Sequence, residues 1–155
     1  MGDILKIDYK KLAISILIPL ILGALVGFIS GSGSNYKELI QPSFAPPSWL
    51  FPVVWSILYI LMGISDYLVK EELNNNSSLK IYKLQLAVNL LWSFPFFTFK
   101  WYLFAFIWII LLIVLVIKMI KEFLSINKTA AYLQIPYLLW IIFAAILNYS
   151  IYTLN

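Results

Sequence analysis

Apolar residues run through this chain in five long, unbroken blocks, with polar residues gathered between them. The blocks predict helices over about residues 12–29, 49–69, 79–99, 101–123 and 129–153. Continuous runs of this length, rather than alternation of apolar and polar positions, indicate helical membrane spans and not a barrel. No charge falls between Leu12 and Tyr36, which suffices to cross a hydrocarbon core of about 30 Å at about 1.5 Å per residue. Pro19 is expected to bend the first helix. Gly23 and Gly27 form a GxxxG pair, suited either to a dimer face or to close packing within the chain.

The first connection, residues 30–48, is the longest. Pro42, Pro46 and Pro47 exclude regular helix there and predict a stiff lid over one end of a bundle. Pro52 then suits the first turn of the second helix, where a missing N–H costs nothing. On that helix Trp55, Tyr59, Met62 and Asp66 share a face. Asp66 lies near the helix end, four residues before Lys70, and is read as an interfacial acid paired with it. On the third helix Asn89, Trp92, Ser93 and Phe96 share a face, with Pro95 beside them. Asn89 sits mid-span, where its amide must meet protein, water or ligand. On the fifth helix Trp140, Ala144, Leu147, Asn148 and Ile151 line up: a large aromatic, then a small residue, then an amide, a pattern that suits a flat ligand. The fourth helix carries no candidate chemistry.

Composition narrows the chemistry. The chain is 63% hydrophobic and 12% charged, with no cysteine and no histidine. Disulfides, thiolate or histidine metal sites, iron–sulfur clusters and cysteine or histidine catalysis are thereby excluded; no metal and no cofactor is expected. No carboxylate pair, triad or phosphate loop is found. The net charge of +4 comes with lysine as the only basic residue type, which suits membrane orientation better than nucleic acid. With five spans, nine lysines fall on the side of the N-terminus, leaving Lys37 and Lys100 on the other. The positive-inside rule then puts the N-terminus in the cytoplasm and the C-terminus and proline loop outside. The expected fold is all-α: one domain over 1–155, an integral membrane bundle of five transmembrane helices. Lysine-rich, arginine-free usage points to the cell membrane of a microbe with an AT-rich genome.

Three motifs together resemble the TspO/MBR family, the tryptophan-rich sensory or translocator proteins. They are Pro42, Pro46, Pro47, Trp49, Phe51, Trp55, Leu58, Tyr59, Met62 and Gly63; Asn89, Trp92, Ser93, Phe96 and Phe97; and Pro136, Tyr137, Trp140, Ala144, Leu147 and Asn148. The resemblance implies a five-helix bundle, commonly a homodimer, with a pocket under the first loop that binds porphyrins or other flat hydrophobic molecules. Carried over by position, the pocket residues are Trp55, Asn89, Trp140 and Ala144, joined by Trp92 and Phe96; Tyr59 and Asn148 fall on the same helix faces. Lys37 and Lys100 are expected at the mouth, facing the carboxylates of a tetrapyrrole. Two features depart from the family pattern. Asn35 stands where many members have Trp, and no basic residue follows Tyr149, so no specific cholesterol site is expected. A membrane receptor or sensor for porphyrins is the leading reading. The alternatives are light-dependent porphyrin degradation, with Trp55 and Trp140 as candidate catalytic residues, and transport of porphyrin or lipid-like molecules.

Overall fold

The computed structural model describes residues 6–155, and every regular element among them is helical. Helix α1 (Tyr9–Ser30) starts at Asp8, whose carboxylate accepts from the Lys11 N–H, a standard N-cap. It runs through Pro19 and stops at Gly31, which takes the left-handed φ of 78° that glycine tolerates. The chain then differs from the plain loop expected before residue 39. It forms a short turn of helix, α2 (Ser32–Asn35), and a 3-10 turn over Tyr36–Glu38. The proline stretch after it has no regular structure up to α3 (Leu50–Glu72), where Pro52 sits in the first turn.

Helix α4 (Lys80–Ser93) is shorter than the sequence predicts and passes into a π-helical turn over Phe94–Thr98. Pro95 explains the change: it offers no N–H to the carbonyl one turn back, so the ladder shifts register. The Phe99 N–H accordingly reaches the Phe94 carbonyl, five residues earlier. Lys100, with φ of 59°, makes the tight turn into α5 (Tyr102–Leu124). The last predicted helix is two. α6 (Lys128–Tyr132), capped by Asn127, is followed by a turn and by α7 (Ile135–Leu154), with Pro136 in its first turn. Pro136 has no N–H to give to the Tyr132 carbonyl one turn back, and the hydrogen-bond ladder of the predicted single helix is interrupted there.

Four helical stretches are long and apolar enough to cross a membrane: α1, α3, α5 and the α6–α7 segment. α4 alone, at 14 residues, measures about 21 Å, so it meets the thickness only with its π turn. Backbone packing runs from α3 to α1, α1 to α4, α4 to α5 and α5 to α7. A close approach is made at Gly63 of α3, which lies directly on the α1 backbone at Ser15 and Ile16. The outer faces expose Ile14, Leu17, Ile18, Ile21 and Leu25 of α1 and Ile107, Ile110, Leu111 and Val114 of α5, as a lipid-solvated bundle should. The chain is an integral membrane protein.

Asp66 is as expected paired with Lys70, Nζ to Oδ2 at 3.2 Å, and it is buried within the bundle. Its Oδ2 also accepts from Ser78 Oγ, and Lys70 Nζ donates to Ser15 Oγ of α1 at 2.9 Å.

Candidate ligand-binding site

Beneath α2 and the proline stretch the helices separate around a cavity of about 850 Å³. That volume falls within the range of about 300–1,000 Å³ typical of sites for small molecules and cofactors. All eight residues singled out from the helix faces and the family motifs line it: Trp55, Tyr59, Asn89, Trp92, Phe96, Trp140, Ala144 and Asn148. They meet because i, i+4 spacing puts each set on one face, and the three faces turn inward together.

The two amides do not project free into the cavity. Asn89 Oδ1 accepts from the Tyr59 hydroxyl at 2.8 Å, and its Nδ2 donates to the Tyr137 hydroxyl at 2.7 Å. Tyr137 in turn donates to Gln85 Oε1 at 2.8 Å. The network ties α3, α4 and α7 together beneath the cavity floor. Asn148 Oδ1 accepts from the Trp92 indole N–H at 3.2 Å, and its Nδ2 donates to the Tyr102 carbonyl at 2.8 Å. Asn89 and Asn148 therefore fix the shape of the wall, and what they present to the cavity is mostly aromatic surface. Asn89→Ala is expected to cost about 1–2 kcal/mol of stability, since two interhelical bonds go and each averages about 0.6 kcal/mol in membranes. Unfolding followed in detergent checks this; a loss under 0.3 kcal/mol would mean the network is idle.

Aromatic packing builds the rest. Trp55 stacks on Tyr59 with centroids 5.6 Å apart, and Trp92 on Phe96 at 4.8 Å. Phe51 lies edge-on between Tyr36 of the loop, at 4.9 Å, and Trp140 of α7, at 5.8 Å. Tyr36 is buried, and that burial holds its phenol above the usual tyrosine range, so it stays neutral. Neither Tyr36 nor Phe51 was among the candidates drawn from the sequence. Phe51 does belong to the loop motif; Tyr36 was hidden because loop residues carry no periodicity. Gly23 is another addition: a Cβ there would stand 2.8 Å from Tyr59 Cδ2. Gly23 and Gly27 both line the cavity, and Gly23 packs against Tyr59 of the same chain.

The two lysines part company. Lys37 lines the cavity and is exposed, whereas Lys100 is exposed on the α4–α5 turn and does not line it. Lysine counting assigns a residue to a side of the membrane but not a direction in the plane, so it could not separate them. Asn35, in place of a tryptophan, does not line the cavity either; its Nδ2 donates to the Phe97 carbonyl at 2.7 Å and fastens α2 to the π turn. Among the described residues no cluster of acidic, histidine or cysteine groups suits a metal ion.

An all-helical membrane bundle enclosing an aromatic-walled cavity under a proline-rich loop defines the class of protein. The family follows from comparison: the sequence profile of the TspO/MBR family matches residues 15–154, and the chain belongs to that family. It is 39% identical over 149 residues to the tryptophan-rich protein TspO of Archaeoglobus fulgidus, covering 94% of this chain and 97% of that one. It is 38% identical over 126 residues to the TspO protein of Chlorobaculum tepidum, covering 77% and 78%. With the human translocator protein it shares 34% identity over 142 residues, covering 86% and 84%.

Proposed function

We propose that the protein is a membrane receptor for porphyrins and similar flat hydrophobic molecules, which it holds in the cavity under the first loop. The observation that carries this reading is the lining: tryptophan, tyrosine and phenylalanine faces on three helices, with both wall amides engaged in the protein itself. Such a cavity favours an apolar, planar body, and each good aromatic pair adds about 0.5–1.5 kcal/mol beyond burial. Polar groups of the ligand would lie at the mouth, where Lys37 and the serines of α2 stand. In this reading α4 with its π turn completes five spans in one domain, the lysine-poor face with the loop lies outside the cell, and the chain works in a microbial membrane, commonly as a homodimer.

The test is quenching of tryptophan fluorescence by protoporphyrin in the dark. Saturable quenching is expected, weakened in Trp140→Ala. Non-saturable quenching that is equal in both proteins would mean partitioning into detergent and would overturn the reading. Lys37→Gln is expected to weaken binding by up to about fivefold at low salt, the size of an exposed ion pair of up to about 1 kcal/mol. Lys100→Gln is expected to leave binding unchanged, since Lys100 stands off the cavity.

Light-dependent breakdown of the bound porphyrin is the second reading, and one observation favours it: Trp55 and Trp140 both line the cavity, where an indole would lie beside an excited macrocycle. Equal bleaching by wild type and by a Trp55→Phe/Trp140→Phe variant that still binds would remove it.

A further inference from the structure

The ring of helices closes unevenly. α3 packs on α1 and α5 on α7, but α3 and α7 do not approach in the same way. The seam between them is fastened at the cytoplasm-proximal end of the proposed orientation. There Ser65 Oγ donates to the Ala130 carbonyl, and Gln134 Nε2 donates to the Leu61 carbonyl and to Ser65 Oγ. Beyond Gln134, among the described residues, no hydrogen bond joins α3 directly to α7. Asn89 of α4 links Tyr59 to Tyr137 across the gap, and the direct aromatic contacts are edges, Trp55 to Tyr137 at 6.3 Å and Phe51 to Trp140 at 5.8 Å.

On the outer side of this seam lies an apolar groove formed by Val54, Ile57 and Leu58 of α3 and Pro136, Leu139 and Phe143 of α7, with Trp140 at its base. Trp140 lines the internal cavity too. On the α3–α7 side one side chain is thus the partition between the cavity and a surface that faces lipid. That partition is not anchored by hydrogen bonding. The indole N–H of Trp92 is held by Asn148 and that of Trp108 by the Val88 carbonyl, whereas the buried N–H of Trp140 has no partner among the described residues. Swinging Trp140 aside breaks no hydrogen bond and exposes only apolar surface to lipid tails that are themselves apolar.

We propose that the α3–α7 seam is a lateral portal. The cavity's own ligand, a flat apolar molecule dissolved in the bilayer, slides from the groove past Trp140 into the cavity, without crossing the proline loop. The proposal rests on the ligand reading above. A porphyrin-like molecule partitions into the bilayer, so a door on the lipid side meets it at its highest concentration. The loop, by contrast, is fastened: Asn155 bonds both the N–H and the carbonyl of Ile40, and Asn35 holds the Phe97 carbonyl.

The chain's lack of cysteine makes the test direct. Ile57→Cys/Leu139→Cys, both half-exposed groove positions outside the cavity lining, is bridged by a flexible bis-methanethiosulfonate in liposomes, with bridging confirmed by mass. Ile40→Cys/Asn155→Cys, bridged likewise, pins the loop. Protoporphyrin is delivered from preloaded empty vesicles and its binding followed by tryptophan quenching. The seam bridge is expected to slow association and dissociation at least tenfold with Kd unchanged within twofold, and a thiol reductant to restore both rates. The loop bridge is expected to change neither. Saturable binding with rates untouched by the seam bridge overturns the portal alone. Absence of saturable quenching in wild type overturns the ligand reading, and the portal with it.

Discussion

Gly63→Ala is expected to destabilise the protein by about 3 kcal/mol, the upper part of the range for forcing extra atoms into a packed core. A Cβ at this position would stand 2.5 Å from the Ser15 carbonyl oxygen and 2.7 Å from the Ile16 backbone nitrogen. Those neighbours are backbone of α1 and cannot rotate away, so the whole helix must retreat. Helix propensity pulls the other way, since alanine in place of glycine gains about 1 kcal/mol, but the clash is larger. The consequence reaches the cavity, because α1 carries Gly23 and Gly27 on its wall and presses on Tyr59. Gly23→Ala separates the two effects. There the new methyl meets the ring of Tyr59, a side chain, which would be pushed into the cavity while the helices stay packed. Thermal unfolding in detergent should therefore drop steeply for Gly63→Ala, and porphyrin affinity should drop more than stability for Gly23→Ala. Gly33→Ala, with nothing within 4 Å of the new Cβ, is the control, expected within about 0.5 kcal/mol of wild type. A Gly63→Ala protein as stable as that control would mean α1 and α3 do not pack as described.

The contrast between those glycines marks how far the sequence alone could be read. Apolar runs near 20 residues long announce helices without ambiguity, and α1, α3 and α5 begin and end within about three residues of where the pattern puts them. Proline was legible as punctuation, but its effect depended on context that no linear pattern holds. Pro19 is accommodated inside α1, Pro95 shifts the end of α4 into a π turn, and Pro136 splits the last helix in two. The candidate site was legible where it lay on helix faces, because spacing fixes which residues look the same way. Its hydrogen-bond partners were not. Tyr137 and Gln85 join Asn89 from other helices, and only the packing of α3, α4 and α7 brings them together. The loop residue Tyr36 had no periodicity to reveal it. An exposed lysine such as Lys100 gives its side of the membrane and nothing about the cavity.

Lys70→Met is expected to cost about 3 kcal/mol, and more than Asp66→Asn at the other end of the same pair. Removing one partner of a buried ion pair leaves the second charge uncompensated, typically a loss of about 3–5 kcal/mol. The side chain of Asp66 is 5% exposed and that of Lys70 17%. The carboxylate is thus the deeper charge, and without Lys70 it keeps the hydroxyl of Ser78 and the more distant charge of Lys83. That residual bond, and the partial exposure of Lys70, hold the expected loss to the low end of the range. In Asp66→Asn the amide still accepts from Ser78, and Lys70 keeps Ser15 Oγ or extends toward water along its flexible stem. The pair also reaches across to α1 through Ser15, so its loss loosens the same α1–α3 contact that Gly63 sets. Asp66→Asn combined with Lys70→Met removes both charges and should recover stability to within about 1 kcal/mol of wild type, because a neutral pair has no desolvation to offset. Unfolding of the four proteins in one detergent closes the double-mutant cycle. If Lys70→Met proves no less stable than the double variant, Asp66 finds its compensation elsewhere and the buried pair does not hold α1 to α3.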